Sequence, residues 1–187
     1  NYIIMNLIQS YFNKNINIDN INYAGGYLSP IINWLSMAYS CLLLKRYNPE
    51  DHLIFYGNET MVHLFENLFE LPYDEYRIVD CKGDYTDWFY CWPKIITYEA
   101  QKDPFIHIDN DIFMWDHLPQ ELKDAPLVAQ HLERDSKFYM DVYNQIAKDQ
   151  IKIPDYIKTC YDGNFISSYN AGLLGGNDLS FFHEYLS

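Results

Sequence analysis

Basic residues are scarce in this sequence. Lys and Arg number 13 against 26 Asp and Glu over 187 residues, a formal net charge of −13. Without a basic stripe, no nucleic acid partner is expected and anionic membrane surfaces are poor candidates, because both are held through clustered Lys and Arg. A phosphorylated ligand would need a cation to meet so acidic a chain. Cysteine is scarce too. Cys41, Cys81, Cys91 and Cys160 form no CxxC pair, which excludes a disulfide scaffold and gives no zinc-ligand spacing. Cys41 is expected as a buried thiol on a helix, in a reducing, cytoplasmic compartment. No apolar run reaches the about 18 residues of a transmembrane segment, and no signal-peptide pattern is seen. Repeats, low-complexity tracts and Gly/Ser linkers are missing as well, so a single domain spanning 1–187 is expected.

What is present suits a globular core: 49% of the residues are apolar and 21% charged. The 18 Tyr and 4 Trp carry flat apolar bodies with polar tips, suited to stacking a base or a sugar. Apolar runs alternate with helical patterns along the chain. Residues 2–8 (YIIMNLI) read as a buried strand. Ser29-Pro30 supplies an N-cap and a first-turn proline for a helix, with Ile31, Leu35, Ala38 and Leu42 as its inward face and Lys45 and Arg46 in its last turn. HLIFYG (52–57) is a second strand. Asn58 caps a helix whose stripe is Met61, Leu64, Phe65 and Leu68. RIVD (77–80), PFIHID (104–109) and APLVAQ (125–130) are further strands, and a helix runs from near Pro93 to Gln101. Ser136 opens another helix with Phe138, Val142 and Ile146 inward. NFISS (164–168) is extended, and NAGLLGG leads to a last helix capped by Asn177 or Asp178. This alternation predicts an α/β fold with a mixed, mostly parallel sheet flanked by helices. In such sheets ligands bind beyond the carboxyl ends of strands.

The most informative stretch is FIHIDNDIFMW (105–115). Asp109 and Asp111 stand between Ile108 and Ile112, and burying two carboxylates is costly unless a cation neutralises them. Side chains at i and i+2 of an extended segment point the same way. Both can therefore converge on a hard cation, Mn²⁺ or Mg²⁺, that prefers oxygen ligands. A polar turn in which Asp caps backbone N–H groups is the plainer alternative. An EF-hand is rejected, because Phe113 and Met114 stand where such a loop needs glycine and oxygen ligands. A haloacid-dehalogenase-like phosphatase, with the first Asp as nucleophile, is a rival, although GGNDLSFF (175–182) is a poor acidic partner motif.

Two further segments carry chemistry. SSYNAGLLGGND (167–178) sets glycines around a short apolar core where a ligand could approach the backbone, or where a bulged strand simply precedes a helix cap. No GxGxxG dinucleotide fingerprint is present. Lys94, beside Trp92 and Pro93 on the helix before the acidic strand, is a natural partner for a phosphate, though a solvated surface lysine fits it as well.

An apolar strand ending in DxD, followed downstream by (F/Y)NAG, resembles the GT-A glycosyltransferases, here as HIDND (107–111) and YNAGLLGG (169–176). Glycogenin and the lipopolysaccharide galactosyltransferases form the best-known similar group, and Lys94 in WPKIITYEAQKDPFIHIDND matches their basic residue before DxD. GGYLSPIINWLSMAYSCLLLKRY (25–47), LPYD (71–74) and LVAQ (127–130) are similar to a bacterial family of predicted glycosyltransferase-like proteins. The resemblance implies a GT-A-like, Rossmann-like nucleotide-sugar-binding domain, truncated at its C-terminus. Its donor would be a nucleotide-diphosphate sugar and its acceptor a saccharide or a lipid-linked molecule, as in surface polysaccharide synthesis. Asp109 and Asp111 would chelate Mn²⁺ or Mg²⁺ against the diphosphate, with Asn110 between them. Lys94 would face the diphosphate or the donor sugar. Asn170 and the Gly172 backbone would line the sugar pocket, with Gln130 beside the reacting carbon. The turn at Gln9, Ser10 and Tyr11 would hold the base. The glycogenin-like group takes a third metal ligand from a C-terminal His, and His183 stands too close to NAG to match it. A domain that binds carbohydrate or a partner without catalysis is the non-enzymatic alternative.

Overall fold

The computed structural model describes residues 4–79, 91–134, 137–149 and 166–185, with Lys152, Asp155 and Lys158. The chain divides into two compact units, Asn1–Val128 with Gly175–Ser187, and Ala129–Leu174. Parallel strands build the first unit: β1 (Asn6–Tyr11), β2 (His52–Gly57), β3 (Glu75–Ile78) and β4 (Phe105–Ile108). β1 is central, with Leu7 opposite Leu53 of β2 and Ile106 of β4, while Ile54 of β2 meets Glu75 of β3. Ile8, Ile54, Phe55, Phe105 and Ile106 are fully buried. Such unbroken apolar runs are what parallel strands covered on both faces require. With β5 (Val128–Glu133) and β6 (Ser168–Gly176), the sheet has six strands in the order β3-β2-β1-β4-β6-β5. Flanking helices complete an α/β fold of the class read from the sequence.

The strand read over 2–8 is displaced: β1 starts at Asn6 and runs on through Gln9, Ser10 and Tyr11. The first helix, α1 (Pro30–Tyr47), begins where the cap predicts, and Ser29 Oγ accepts a hydrogen bond from the Ile32 N–H at 3.3 Å. Its inward face is not the one expected. Ile31, Leu35 and Leu42 are 70%, 63% and 50% exposed, whereas Asn33, Trp34, Met37, Ser40, Cys41 and Leu44 are buried. Both faces of α1 are apolar, so periodicity alone cannot choose between them. The polar groups of the buried face decide it by finding partners: Trp34 Nε1 donates to Ile21 O at 2.9 Å, Asn33 Nδ2 to Tyr23 O at 3.2 Å, and Ser40 Oγ to Ile112 O at 2.6 Å. The Cys41 thiol is buried as expected, and burial pushes its pKa up to about 12.

After β2, α2 (Glu59–His63) passes directly into a π-helical turn, Leu64–Leu68. The wider turn rotates the stripe, so Met61, Leu64 and Phe65 are buried while Leu68 is 55% exposed. Asn58 precedes α2 without capping it through its side chain, which instead bonds the backbone of Asn13. α3 (Trp92–Glu99) leads to β4, and the short α4 (Gln120–Lys123) follows. In the second unit α5 (Lys137–Lys148) buries none of its residues; Phe138 is 67% and Val142 42% exposed, against the inward face expected. NAGLLGG lies within β6, the strand-before-a-cap alternative of the sequence reading. Its last glycines serve packing: a Cβ on Gly175 would lie 2.1 Å from Phe105 O, and Gly176 has φ +142 against Pro126 O. Asp178 then caps α6 (Leu179–Tyr185) by accepting from the Ser180 and Phe181 N–H groups. Asp80, Cys81, Ser136 and Cys160 lie outside the described residues.

Candidate functional site

Chain order along the first unit's strands reverses between β1 and β4, since β2 and β3 follow on one side of β1 and β4 lies on the other. Two crossover connections diverge at such a point and leave a crevice at the carboxyl edge. Ile8 pairs with His107, so Ser10 and Tyr11 of β1 and Asp109 of the chain after β4 emerge at this edge.

The segment after β4 does not continue as extended chain. Asp109 O accepts a hydrogen bond from the Ile112 N–H at 3.0 Å, closing a turn over Asp109, Asn110 and Asp111. The alternation expected of the two aspartates is therefore replaced by turn geometry, in which Asp109 is half-buried and Asp111 exposed. They remain near enough to interact: the Asp111 charge is among the causes that raise the Asp109 pKa. Burial is the largest of those causes, and the Lys94 ammonium offsets part of it. Lys94, in the first turn of α3, donates from Nζ to Asp109 Oδ1 at 2.5 Å. Asn110 turns inward, its Nδ2 donating to Ser10 O at 2.8 Å, while its buried Oδ1 has no hydrogen-bond partner. Ser10 Oγ meets His107 Nε2 at 2.8 Å. Tyr11 is half-buried with its ring edge-on to Trp34, and burial raises its hydroxyl pKa. Gln9 is fully buried, donating to Ser40 Oγ and accepting from Tyr73 OH, so it belongs to the core rather than to a base pocket.

His107 was missed in the sequence, where a lone His in an apolar strand reads as core. It is fully buried, and that burial holds its pKa well below the usual imidazole range, with Lys94 adding to the effect. Along the same edge a cavity of about 690 Å³ opens past β1, within the roughly 300–1,000 Å³ of small-molecule sites. It is lined by Lys14, Asn17, Glu59, His63, Glu66 and Ile78 among others.

In the second unit, Asn170 Nδ2 donates to Glu133 Oε1 at 2.8 Å and Asn170 Oδ1 accepts from the Gly172 N–H at 2.8 Å. Tyr139 OH binds the other Glu133 oxygen at 2.6 Å, and these hydrogen bonds, Tyr139 first, hold the Glu133 carboxyl below its usual range. The Asn170 amide is thus fixed in orientation by a glutamate that the sequence reading did not single out. Gln130 is exposed on β5.

Asp109 and Asp111 supply two hard-oxygen side chains, and among the described residues no group of three or more His, Cys, Asp or Glu is placed to hold a metal. His183 is exposed on α6. A two-carboxylate set fits a divalent cation whose remaining positions are filled by phosphate and water oxygens, as is usual for Mg²⁺.

Strand order and site place the chain in a recognisable fold class. The apo crystal structure of mouse xyloside xylosyltransferase 1 is similar to it with a TM-score of 0.52 at 12% identity, over 100% of this chain and 72% of that one. At that identity the likeness shows the fold, a GT-A-like α/β arrangement. The chain belongs to the family described as "Family of unknown function (DUF6734)", whose model matches residues 5–187. No curated protein matches the sequence. No helix among the described residues is long and apolar enough to cross a membrane.

Proposed function

We propose that this chain is a glycosyltransferase that moves a hexosyl group from a nucleotide-diphosphate sugar to a saccharide or lipid-linked acceptor, with Mn²⁺ or Mg²⁺. The observation that carries this reading is the pair Asp109 and Asp111, set on a turn at the reversal point of a GT-A-like sheet with Lys94 against the first of them. Asp109 and Asp111 would hold the cation, which when bound stabilises negative charge on the leaving diphosphate. Lys94 would exchange its carboxylate for a phosphate oxygen as that charge grows. Asn110 keeps the turn fastened to β1 through Ser10 O. Ser10 and Tyr11 would hold the base; the cavity past β1, lined by Lys14, Asn17 and Glu59 rather than by these two residues, has the volume for a base and ribose. In the second unit, Asn170, oriented by Glu133, the Gly172 backbone and Gln130 are the residues proposed to serve the donor sugar.

The test is a thermal-shift panel of UDP, GDP, ADP, CDP and dTDP with and without Mn²⁺, followed by calorimetry on the best binder. Asp111→Asn should abolish cation-dependent nucleotide binding while leaving Tm unchanged, because its side chain is exposed and buries nothing. Unchanged affinity in this variant refutes the assignment.

A further inference from the structure

The chemistry above gives His107 no task, although its position is expensive to maintain. An imidazole inside a strand whose neighbours Phe105, Ile106 and Ile108 are fully buried is tolerated when both ring nitrogens are bonded. Nε2 meets Ser10 Oγ at 2.8 Å. Nδ1 is buried with no hydrogen-bond partner, and Asp109 Oδ1 lies 3.6 Å away, beyond bonding reach. The same oxygen is held by Lys94 at 2.5 Å, and the Tyr98 ring closes the imidazole edge-on at 5.4 Å. One carboxylate oxygen thus stands between two nitrogens and is bonded to only one.

We propose that His107 is a positioning residue that takes over Asp109 when Lys94 releases it. With Lys94 turned to a ligand phosphate, Asp109 Oδ1 closes on Nδ1 and accepts its proton in a charge-assisted hydrogen bond of about 2.8 Å. A carboxylate at this distance favours the tautomer with the proton on Nδ1. Nε2 then accepts from the Ser10 hydroxyl, so Ser10, His107 and Asp109 form a chain of donated bonds running from β1 into the turn after β4. In the present arrangement Lys94 keeps the carboxylate neutralised. After the exchange His107 fixes its orientation and leaves the second oxygen, Oδ2, facing outward. The purpose of the exchange rests on the proposed cation and diphosphate reading, but the exchange itself can be observed with no ligand.

The first arm of the experiment is ¹⁵N–¹H correlation NMR of the imidazoles in the ligand-free chain and in Lys94→Met. The wild type should show His107 as the Nδ1–H tautomer. In Lys94→Met that proton should move downfield and exchange more slowly with water. An Nε2–H tautomer in the wild type, or an Nδ1–H signal indifferent to Lys94→Met, overturns the proposal. The second arm is calorimetry of Mn²⁺ with each of the five nucleoside diphosphates on two variants. The amide of His107→Asn falls near Nδ1 and that of His107→Gln near Nε2. His107→Gln should bind about 10–100-fold more weakly, as when an outer partner of a metal ligand is lost, and His107→Asn should stay near the wild type. Equal affinities in the two variants overturn the positioning role. A wild type that binds none of the diphosphates yet shows the NMR shift in Lys94→Met refutes the transferase reading and leaves the exchange standing. Labelling of Ser10 by a fluorophosphonate would make His107 the base of a nucleophile and also overturns the proposal.

Discussion

Among the described residues of the first unit, three aspartates pair with lysines, two at one edge of the sheet and one at the other. Asp51 and Asp74 precede β2 and β3 at the amino edge, whereas Asp109 follows β4 at the carboxyl edge. At the amino edge each carboxylate is saturated. Lys123 holds Asp51 Oδ2 at 2.5 Å while the Met5 N–H donates to Oδ1, and Lys45 holds one oxygen of Asp74 while the Leu53 N–H donates to the other. Asp109 has Lys94 on Oδ1, and among the described residues no hydrogen bond reaches Oδ2. Around it lie two buried polar atoms without partners, His107 Nδ1 and Asn110 Oδ1. The three Lys–Asp distances are alike; what separates Asp109 is that no backbone N–H fills its second oxygen among the described residues, as one does at Asp51 and Asp74.

The largest expected effect is on the saturated side. Asp51 is 2% exposed in its side chain, so Asp51→Ala leaves the Lys123 ammonium and the Met5 N–H without their partner in a dry setting. Loss of one member of a buried ion pair costs about 3–5 kcal/mol, measurable by urea denaturation. Nucleotide binding per folded molecule should not change, and a matched loss of binding would erase the contrast between the edges. Asp74→Asn should act in the same direction but more weakly. Its pair is about one-third exposed, so solvent screening limits the loss to about 1 kcal/mol or less. Burial alone would raise the Asp74 pKa, but the hydrogen bonds from Lys45 and the Leu53 N–H outweigh it and leave the carboxyl below its ordinary 3.8. A lowered folded value means stability that is present above pH 3.8 and lost as pH falls through that folded value. The difference between wild type and Asp74→Asn should therefore be full at neutral pH and vanish in acid.

The strands were legible because parallel strands must be apolar throughout, and β2 is read with its true bounds. Asp109 and Asp111 stood out as candidates because charge after an apolar strand is costly and needs a reason, and Lys94 because a lysine ahead of them suits a phosphate; their pairing, Lys94 with Asp109, is visible only in the structure. The inward face of α1 was not, since Ser36 and Ser40 look solvent-facing until the loops that bond them are in place. The glycines of NAGLLGG suggested ligand approach, whereas at Gly175 and Gly176 the close neighbour is the chain itself. His107 could have been found by asking why FIHI interrupts an apolar run, but its partners Ser10 and Asp109 are fixed only by the β1–β4 register. Glu133 carries no local signal at all; its link to Asn170 joins two strands far apart in sequence.

The smallest expected effect on stability belongs to Asp109→Asn, and its sign is the sharpest test of the comparison. Burial, together with the Asp111 charge, raises the Asp109 pKa above 3.8 despite Lys94. A carboxyl whose folded value is raised works against the fold when ionised: the penalty is full above the folded pKa and disappears as pH falls toward 3.8. Asn carries no charge to desolvate, so this variant should show a Tm at pH 7 equal to or above that of the wild type, and the difference should shrink on acidification, opposite to Asp74→Asn. Cation-dependent nucleotide binding should be lost in the same protein. A carboxylate whose removal costs nothing in folding but everything in binding is held in place by function. If Asp109→Asn instead melts earlier at neutral pH and recovers in acid, Asp109 is a third structural pair and the two edges of the sheet do not differ.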